Sequence, residues 1–220
     1  SRMFSVPGAG NRAMHPNPAF RQATAARNLE FARARGFGIL AVCSPEGPLM
    51  SHIPFLLNAD GTRAEFHLVR SNPIARLLTG PLKARLAIEG PHSYVSPDWY
   101  GVEDQVPTWN YVAVHLSGTL ELRPQEELLD LLDRQSAWFE DRLLPKPPWT
   151  TAKMNPLTMQ KMMRMIVPCR MRITGVDGTW KLSQNKPDAV RLAAADGVEA
   201  HGFGAGTGTL ARQMRAAKGA

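Results

Sequence analysis

The chain has 220 residues, 44% of them hydrophobic and 20% charged, and 26 Lys and Arg against 19 Asp and Glu give a formal charge of +7. That balance is globular; no apolar run approaches the roughly 18 to 20 residues of a membrane-spanning helix, and no hydrophobic leader precedes a small-residue cleavage site, so a cytoplasmic protein that does not enter the membrane is expected. The basic excess is confined to the ends: residues 1–35 and 201–220 together carry +8 and residues 36–200 carry −1, so the ends read as solvated extensions and direct DNA binding has no visible sequence basis.

Residues 3–19 are rich in Gly, Pro, Asn and Ala and read as an irregular lead-in, with Ser1 and Arg2 as appended residues ahead of a natural start at Met3. Phe20 to Arg35 holds good helix formers and stops at Gly36, a C-cap residue. Phe37 to Cys43 and Leu49 to Leu57 are apolar runs around Ser44-Pro45-Glu46-Gly47, a hairpin signature. A third strand follows Ala59-Asp60-Gly61, with Phe66 and Leu68 alternating with Glu65 and His67. Asn72-Pro73 opens a short helix through Leu78. Leu82 to Glu89 alternates again, and Tyr111 to Leu122 is a longer strand in which Gly118 suits a bulge or a close backbone approach.

Gln125 to Leu143 places Leu128, Leu131, Leu132, Trp138, Phe139 and Leu143 at helical spacing. A second long helix is expected from Asn155-Pro156 until Pro168 ends it, its methionines serving as core filler. Arg170 to Leu182 reads as a hairpin around Asp177-Gly178. The two cysteines, Cys43 and Cys169, exclude a disulfide framework and a structural zinc site, and both read as buried free thiols. The six histidines show no close ligand spacing, so no metal is expected. The expected layout is an irregular segment over 1–19, one mainly β domain with inserted helices over 20–187, and an Ala/Gly-rich tail over 188–220. Antiparallel strands without regular strand-helix alternation favour a closed or partly open β-barrel.

Two stretches carry chemistry. Gly90 to Tyr100 and Pro107 to Tyr111 contain all three tyrosines and two of the five tryptophans, interleaved with Ser, Thr, Asn and His. Rings with polar tips suit a planar heteroaromatic ligand that needs stacking and a few hydrogen bonds. His67 to Pro73 ends a strand in Arg70-Ser71-Asn72 as a helix begins, which brings a guanidinium, a hydroxyl and backbone N–H groups to one point, as a phosphate requires.

Ser51-His52-Ile53-Pro54, His67 to Pro73, Gly90 to Tyr100, Pro107 to His115 and Lys181-Leu182-Ser183-Gln184-Asn185 resemble, in order, the motifs of the PaiB-like family of FMN-binding negative transcriptional regulators. The resemblance implies an antiparallel FMN-binding split barrel related to pyridoxamine-phosphate oxidase, a homodimer with the flavin at the subunit interface. It implies phosphate contacts from Arg70, Ser71 and Asn72, with His67 on the same strand and Ser51, His52, Ile53 and Pro54 flanking the ring system. Trp99, Trp109 and Asn110 would line the pocket, from the partner subunit, and Gln184, Asn185 and Lys186 would close it. The output implied is gene repression, with DNA as a partner through the family role alone. The alternatives are an FMN-dependent oxidoreductase acting on a small molecule and a haem-binding split barrel.

Overall fold

In the computed structural model, which describes residues 13–219, the lead-in ends in a 3-10 turn, Pro18–Arg21, where the Asn17 side chain accepts from the Ala19 N–H at 2.9 Å. Helix α1 (Ala25–Arg35) follows, so the helix expected from Phe20 starts one turn later. Gly36 ends it at φ +61°, its N–H donating to the Ala32 carbonyl. β1 (Phe37–Ser44) and β2 (Gly47–Pro54) form the expected hairpin, paired from Phe37 with Pro54 to Ser44 with Gly47. β3 (Leu56–Leu57), β4 (Arg63–Val69) and α2 (Pro73–Leu77) also fall where pattern and caps put them.

The later strands are longer than their alternation suggests. β5 covers Leu82–Val95 and β6 covers Thr108–Leu122, so half of the aromatic segment is strand and only a short connection, opened by a 3-10 turn at Pro97–Tyr100, lies between. α3 spans Leu128–Glu140 and α4 spans Pro156–Met163. The expected hairpin of 170–182 is replaced by one uninterrupted strand, β7 (Ile166–Lys181). Pro168 lies inside it rather than ending a helix: it stands opposite His67, and its carbonyl accepts from the Arg123 N–H at 2.8 Å, a ladder role that needs no N–H. Asp177-Gly178 is no turn either, because the Asp177 carboxylate accepts from the Met14 N–H at 2.6 Å and Gly178 faces the Asn28 side chain.

Residues 188–219 are not a tail. They form α5 (Asp188–His201), β8 (Gly204–Ala205) and α6 (Thr207–Ala216), with Val198, Leu210, Ala211 and Met214 fully buried. Small residues lower the average apolar signal but let helices approach closely. Arg191 is 4% exposed and donates to the Met214 carbonyl at 2.9 Å, and Arg215 bridges Asp196 and Glu199 at 2.7 and 2.5 Å. The carboxyl-terminal charge is therefore partly neutralised within the fold. The lead-in reading of residues 1–12 lies outside the described residues.

The strands form one sheet in the order β2-β1-β5-β6-β7-β4-β3, with β8 added to β5. The chain divides into two compact units. The first takes the residues up to Phe31, Ile88–His115 and those from Val176 on, and its core packs Val95, Tyr100, Val112, Trp180, Leu182 and Val198 against α6. The second takes Ala32–Ala87 and Leu116–Gly175, with Leu40, Phe55, Phe66, Leu86, Leu120 and Met171 among its fully buried side chains. Within the second unit Gly118 lets β6 approach β7: a Cβ there would lie 2.2 Å from the Arg172 carbonyl oxygen.

Candidate functional site

The second unit holds the expected phosphate corner. β4 ends at Val69, and Asn72 starts α2 by accepting from the Ile74 N–H at 2.9 Å through its side-chain oxygen. Its amide nitrogen donates to Ser51 Oγ at 3.1 Å, which brings the Ser51 and Asn72 motifs together. Ser71 is exposed. The exposed Arg70 guanidinium turns toward the start of β7: Nε donates to the Arg164 carbonyl at 3.0 Å, and Nη2 to Gln125 Oε1 at 3.2 Å and the Ile166 carbonyl at 3.5 Å. Among the described residues Nη1 has no hydrogen-bond partner, which leaves it available to an anion.

Along β2 the motif residues differ in kind. His52 is exposed with its ring 6.4 Å from that of Phe37. Ile53 is 3% exposed and belongs to the core. Pro54 lines a cavity of about 260 Å³ with Gln135, Phe139 and Trp149. His67 is half-buried, its Nδ1 has no hydrogen-bond partner among the described residues, and burial holds its pKa below the usual histidine value, which favours the neutral ring at pH 7.

The first unit carries the aromatic set. Trp109, 42% exposed, stands 5.5 Å from the His92 ring and 5.9 Å edge-on from Phe203, which in turn stacks on Tyr94 at 5.5 Å. Trp99 sits on α5 at Gly197, where a Cβ would lie 2.4 Å from the indole, so the glycine makes the seat. Asn110 is fully buried and donates to Ser183 Oγ at 2.8 Å, and the Tyr100 hydroxyl lies 3.4 Å from the same oxygen. Gln184 is likewise buried: Oε1 accepts from the Leu182 N–H at 2.8 Å, and Nε2 donates to the Ala19 and Trp180 carbonyls. Gln184 therefore spends its amide on the framework, as does the Asn110 nitrogen, while Asn110 Oδ1 is buried with no hydrogen-bond partner among the described residues. Asn185 is exposed, and Lys186 donates to Gln105 Oε1 at 2.5 Å with its ammonium 4.4 Å from the Tyr100 ring. Burial and the Lys186 charge hold the Lys181 pKa below its ordinary value.

Three contributors have no role assigned from the sequence. Phe203 is a lone aromatic in a glycine-rich stretch with no periodicity. Ser183 adopts φ +62°, which a serine does not advertise. The third is Arg27, whose guanidinium stands over Trp180; only its net charge is visible in sequence. Among the described residues no three His, Cys, Asp or Glu side chains gather as a metal site, and no helix is long and apolar enough to cross a membrane.

Residues 14–175 match the family model described as "Putative FMN-binding domain". The chain is 27% identical over 172 residues to the protease synthase and sporulation protein PAI 2 of Bacillus subtilis, covering 77% of this chain and 82% of that one. It is 28% identical over 218 residues to the uncharacterized protein AN0679 of Emericella nidulans, covering 80% and 87%. Among solved structures it is similar to an FAD and heme binding protein from Mycobacterium smegmatis, with a TM-score of 0.53 at 15% identity over 74% of this chain and 73% of that one. The conserved protein Rv2991 of Mycobacterium tuberculosis is matched equally well, with a TM-score of 0.53 at 15% identity over 77% and 92%. The fold is the antiparallel split barrel, mainly β with helices.

Proposed function

Because the chain belongs to the FMN-binding domain family, we propose that it is a cytosolic flavin-binding regulator of the PaiB type, a homodimer that holds FMN at its subunit interface. FMN is the ligand of the domain. The reading is supported by Arg70, Ser71 and Asn72 following the end of β4 and by the Asn72 amide donating to Ser51 Oγ at 3.1 Å, which brings two of the motif segments together; this is the single observation that carries the placement of the phosphate. His52 and Pro54 flank the ring system, with Ile53 anchoring their strand and His67 supplying a neutral imidazole. Trp99, Trp109, Asn185 and Lys186 come from the second copy, held in place by Asn110 and Gln184.

When bound, FMN supplies redox chemistry and a visible chromophore. The protein's own part is to bind the phosphate, cover the ring and exclude water. Dimerisation is supported by exposed apolar side chains on the β1–β2 hairpin, Phe37 at 53% and Met50 at 61%, and by the exposed Trp109 and Phe203. A regulatory output is supported by the Bacillus relative, which is named a protease synthase and sporulation protein.

Titration of the purified protein with FMN, followed by visible absorption together with light scattering, tests the reading. The expected result is a saturable shift of the flavin bands at one FMN per chain in a dimer. An unperturbed spectrum removes flavin binding from this chain, and a monomer that binds FMN removes the interface. Salt-sensitive, sequence-specific DNA retention is the test of the regulatory output, and turnover of reduced FMN without any such retention would replace regulator by oxidoreductase.

A further inference from the structure

The lead-in, the end of β7 and the end of α6 enclose a cavity of about 310 Å³ in the first unit, away from the Arg70 corner in sequence and composition. Four alanines, Trp180 and Leu182 make its apolar wall, and its charged groups are Arg27 and Lys218, with no carboxylate. The Arg27 guanidinium carbon lies 4.0 Å from the centroid of the Trp180 ring. That ring is itself fixed, since Nε1 donates to Asn28 Oδ1 at 2.7 Å and Phe31 meets it edge-on at 5.4 Å. A guanidinium held over a ring face is pre-organised while its in-plane N–H donors remain open to a second acceptor.

That acceptor is missing from the described residues: neither Arg27 nor Lys218 forms an ion pair there. The neighbouring Arg21 has a buried Nε with no hydrogen-bond partner among the described residues, which adds a further cationic donor at this end of the unit. The amino end of α1, just after Ala23, adds the positive end of a helix dipole.

We propose that this cavity binds a small organic anion, a carboxylate or a phosphate monoester on an aromatic or branched apolar body. The anion sits on Arg27 and Lys218, with Gln22 as a further polar contact, and the body lies against Trp180, Leu182 and the alanines. The volume falls at the small end of the roughly 300–1,000 Å³ of ordinary ligand pockets, which sets the ligand at the size of a substituted benzoate rather than a dinucleotide. The site is independent of flavin binding.

The test is calorimetric titration of the full chain with benzoate, phenyl phosphate and the neutral benzyl alcohol, with and without saturating FMN. Saturable binding of at least one anion in both conditions is expected, with benzyl alcohol at least about tenfold weaker. Arg27→Gln should weaken the anion by at least about tenfold, and Lys218→Ala, at an exposed position that the fold does not need, by a smaller factor. Which anion binds more tightly distinguishes a carboxylate from a phosphate ligand. No saturable binding, equal affinity for benzyl alcohol, loss of the probe when FMN is added, or undiminished affinity in Lys218→Ala together with Arg27→Gln would each overturn the assignment.

Discussion

Removing the Arg70 guanidinium should separate FMN from riboflavin. Arg70 is exposed, and the bonds it makes to the Arg164 and Ile166 carbonyls and to Gln125 at 3.0, 3.5 and 3.2 Å are shared with solvent. Their loss costs at most about 0.5–1.5 kcal/mol each in stability and touches no ligand. A charge-assisted hydrogen bond from Nη1 to a phosphate is worth about 1.5–3 kcal/mol, so Arg70→Ala should raise the FMN Kd by roughly 10- to 150-fold. Riboflavin has the same ring and no phosphate, and its Kd should stay within about threefold. Arg70→Lys should restore only part of the loss, because an ammonium keeps the charge without the planar fork. Quenching of flavin fluorescence reads both ligands on the same protein, and a circular-dichroism melt checks that the variants are folded. Equal losses for FMN and riboflavin, or no loss for either, would refute the phosphate assignment.

Gly118→Ala should destabilise by about 1–3 kcal/mol, because its Cβ would sit 2.2 Å from a backbone oxygen that cannot swing away; at roughly 2–4 °C per kcal/mol for a chain of this size the melting temperature should fall visibly, and an unchanged Tm contradicts the close approach. Leu210→Ala removes a fully buried side chain and should cost about 2–5 kcal/mol in a urea titration, whereas an unchanged midpoint would return α6 to the status of a solvated appendage. At pH 8 a chromogenic thiol reagent should titrate the exposed Cys43 in the native protein and reach Cys169 only in denaturant, since burial pushes the Cys169 thiol up to about 12; two native thiols would refute this. The Arg123 hydrogen bond holds the Glu127 carboxyl below its usual range, so its stabilisation is present at neutral pH and fades as pH falls through the depressed value. Glu127→Gln should therefore cost up to about 1 kcal/mol at pH 7, an exposed pair being worth little more, with the difference from wild type narrowing toward pH 3.

Local chemistry that acts through near neighbours was legible in the residues. Asn72-Pro73 capped a helix, Ser44 to Gly47 turned a hairpin, and Gly118 marked a close approach, because each depends on one residue's geometry. What failed depends on distant partners. Pro168 looked like a helix stop until Arg123 supplied a donor to its carbonyl, and Asp177-Gly178 looked like a turn until the Met14 N–H met the Asp177 carboxylate and the Asn28 side chain packed against Gly178. Cys43 alternates like a core residue, yet its face of β1 is open to solvent. In the site, Arg70, Ser71 and Asn72 stand at the strand end where their order puts them, while Asn110 and Gln184 turn inward. An amide has the same composition whether it meets a ligand or a buried serine, and only the fold decides.

The discontinuous make-up of the two units has a consequence for how the chain acquires its structure during synthesis. Every segment of the second unit has been made once Gly175 is joined, whereas the first unit needs its amino-terminal segment, Ile88–His115 and everything from Val176 through α6. During translation at roughly 5–20 residues per second, the α1 residues that face Trp180 must wait for a partner far along the chain, Asn28 and Trp180 being 152 positions apart. Truncations from the carboxyl end should thus strand the earliest-made apolar surface while leaving the later-starting unit with all of its own segments, so a released chain ending near residue 180 would be half able to fold, with its exposed half a target for chaperones.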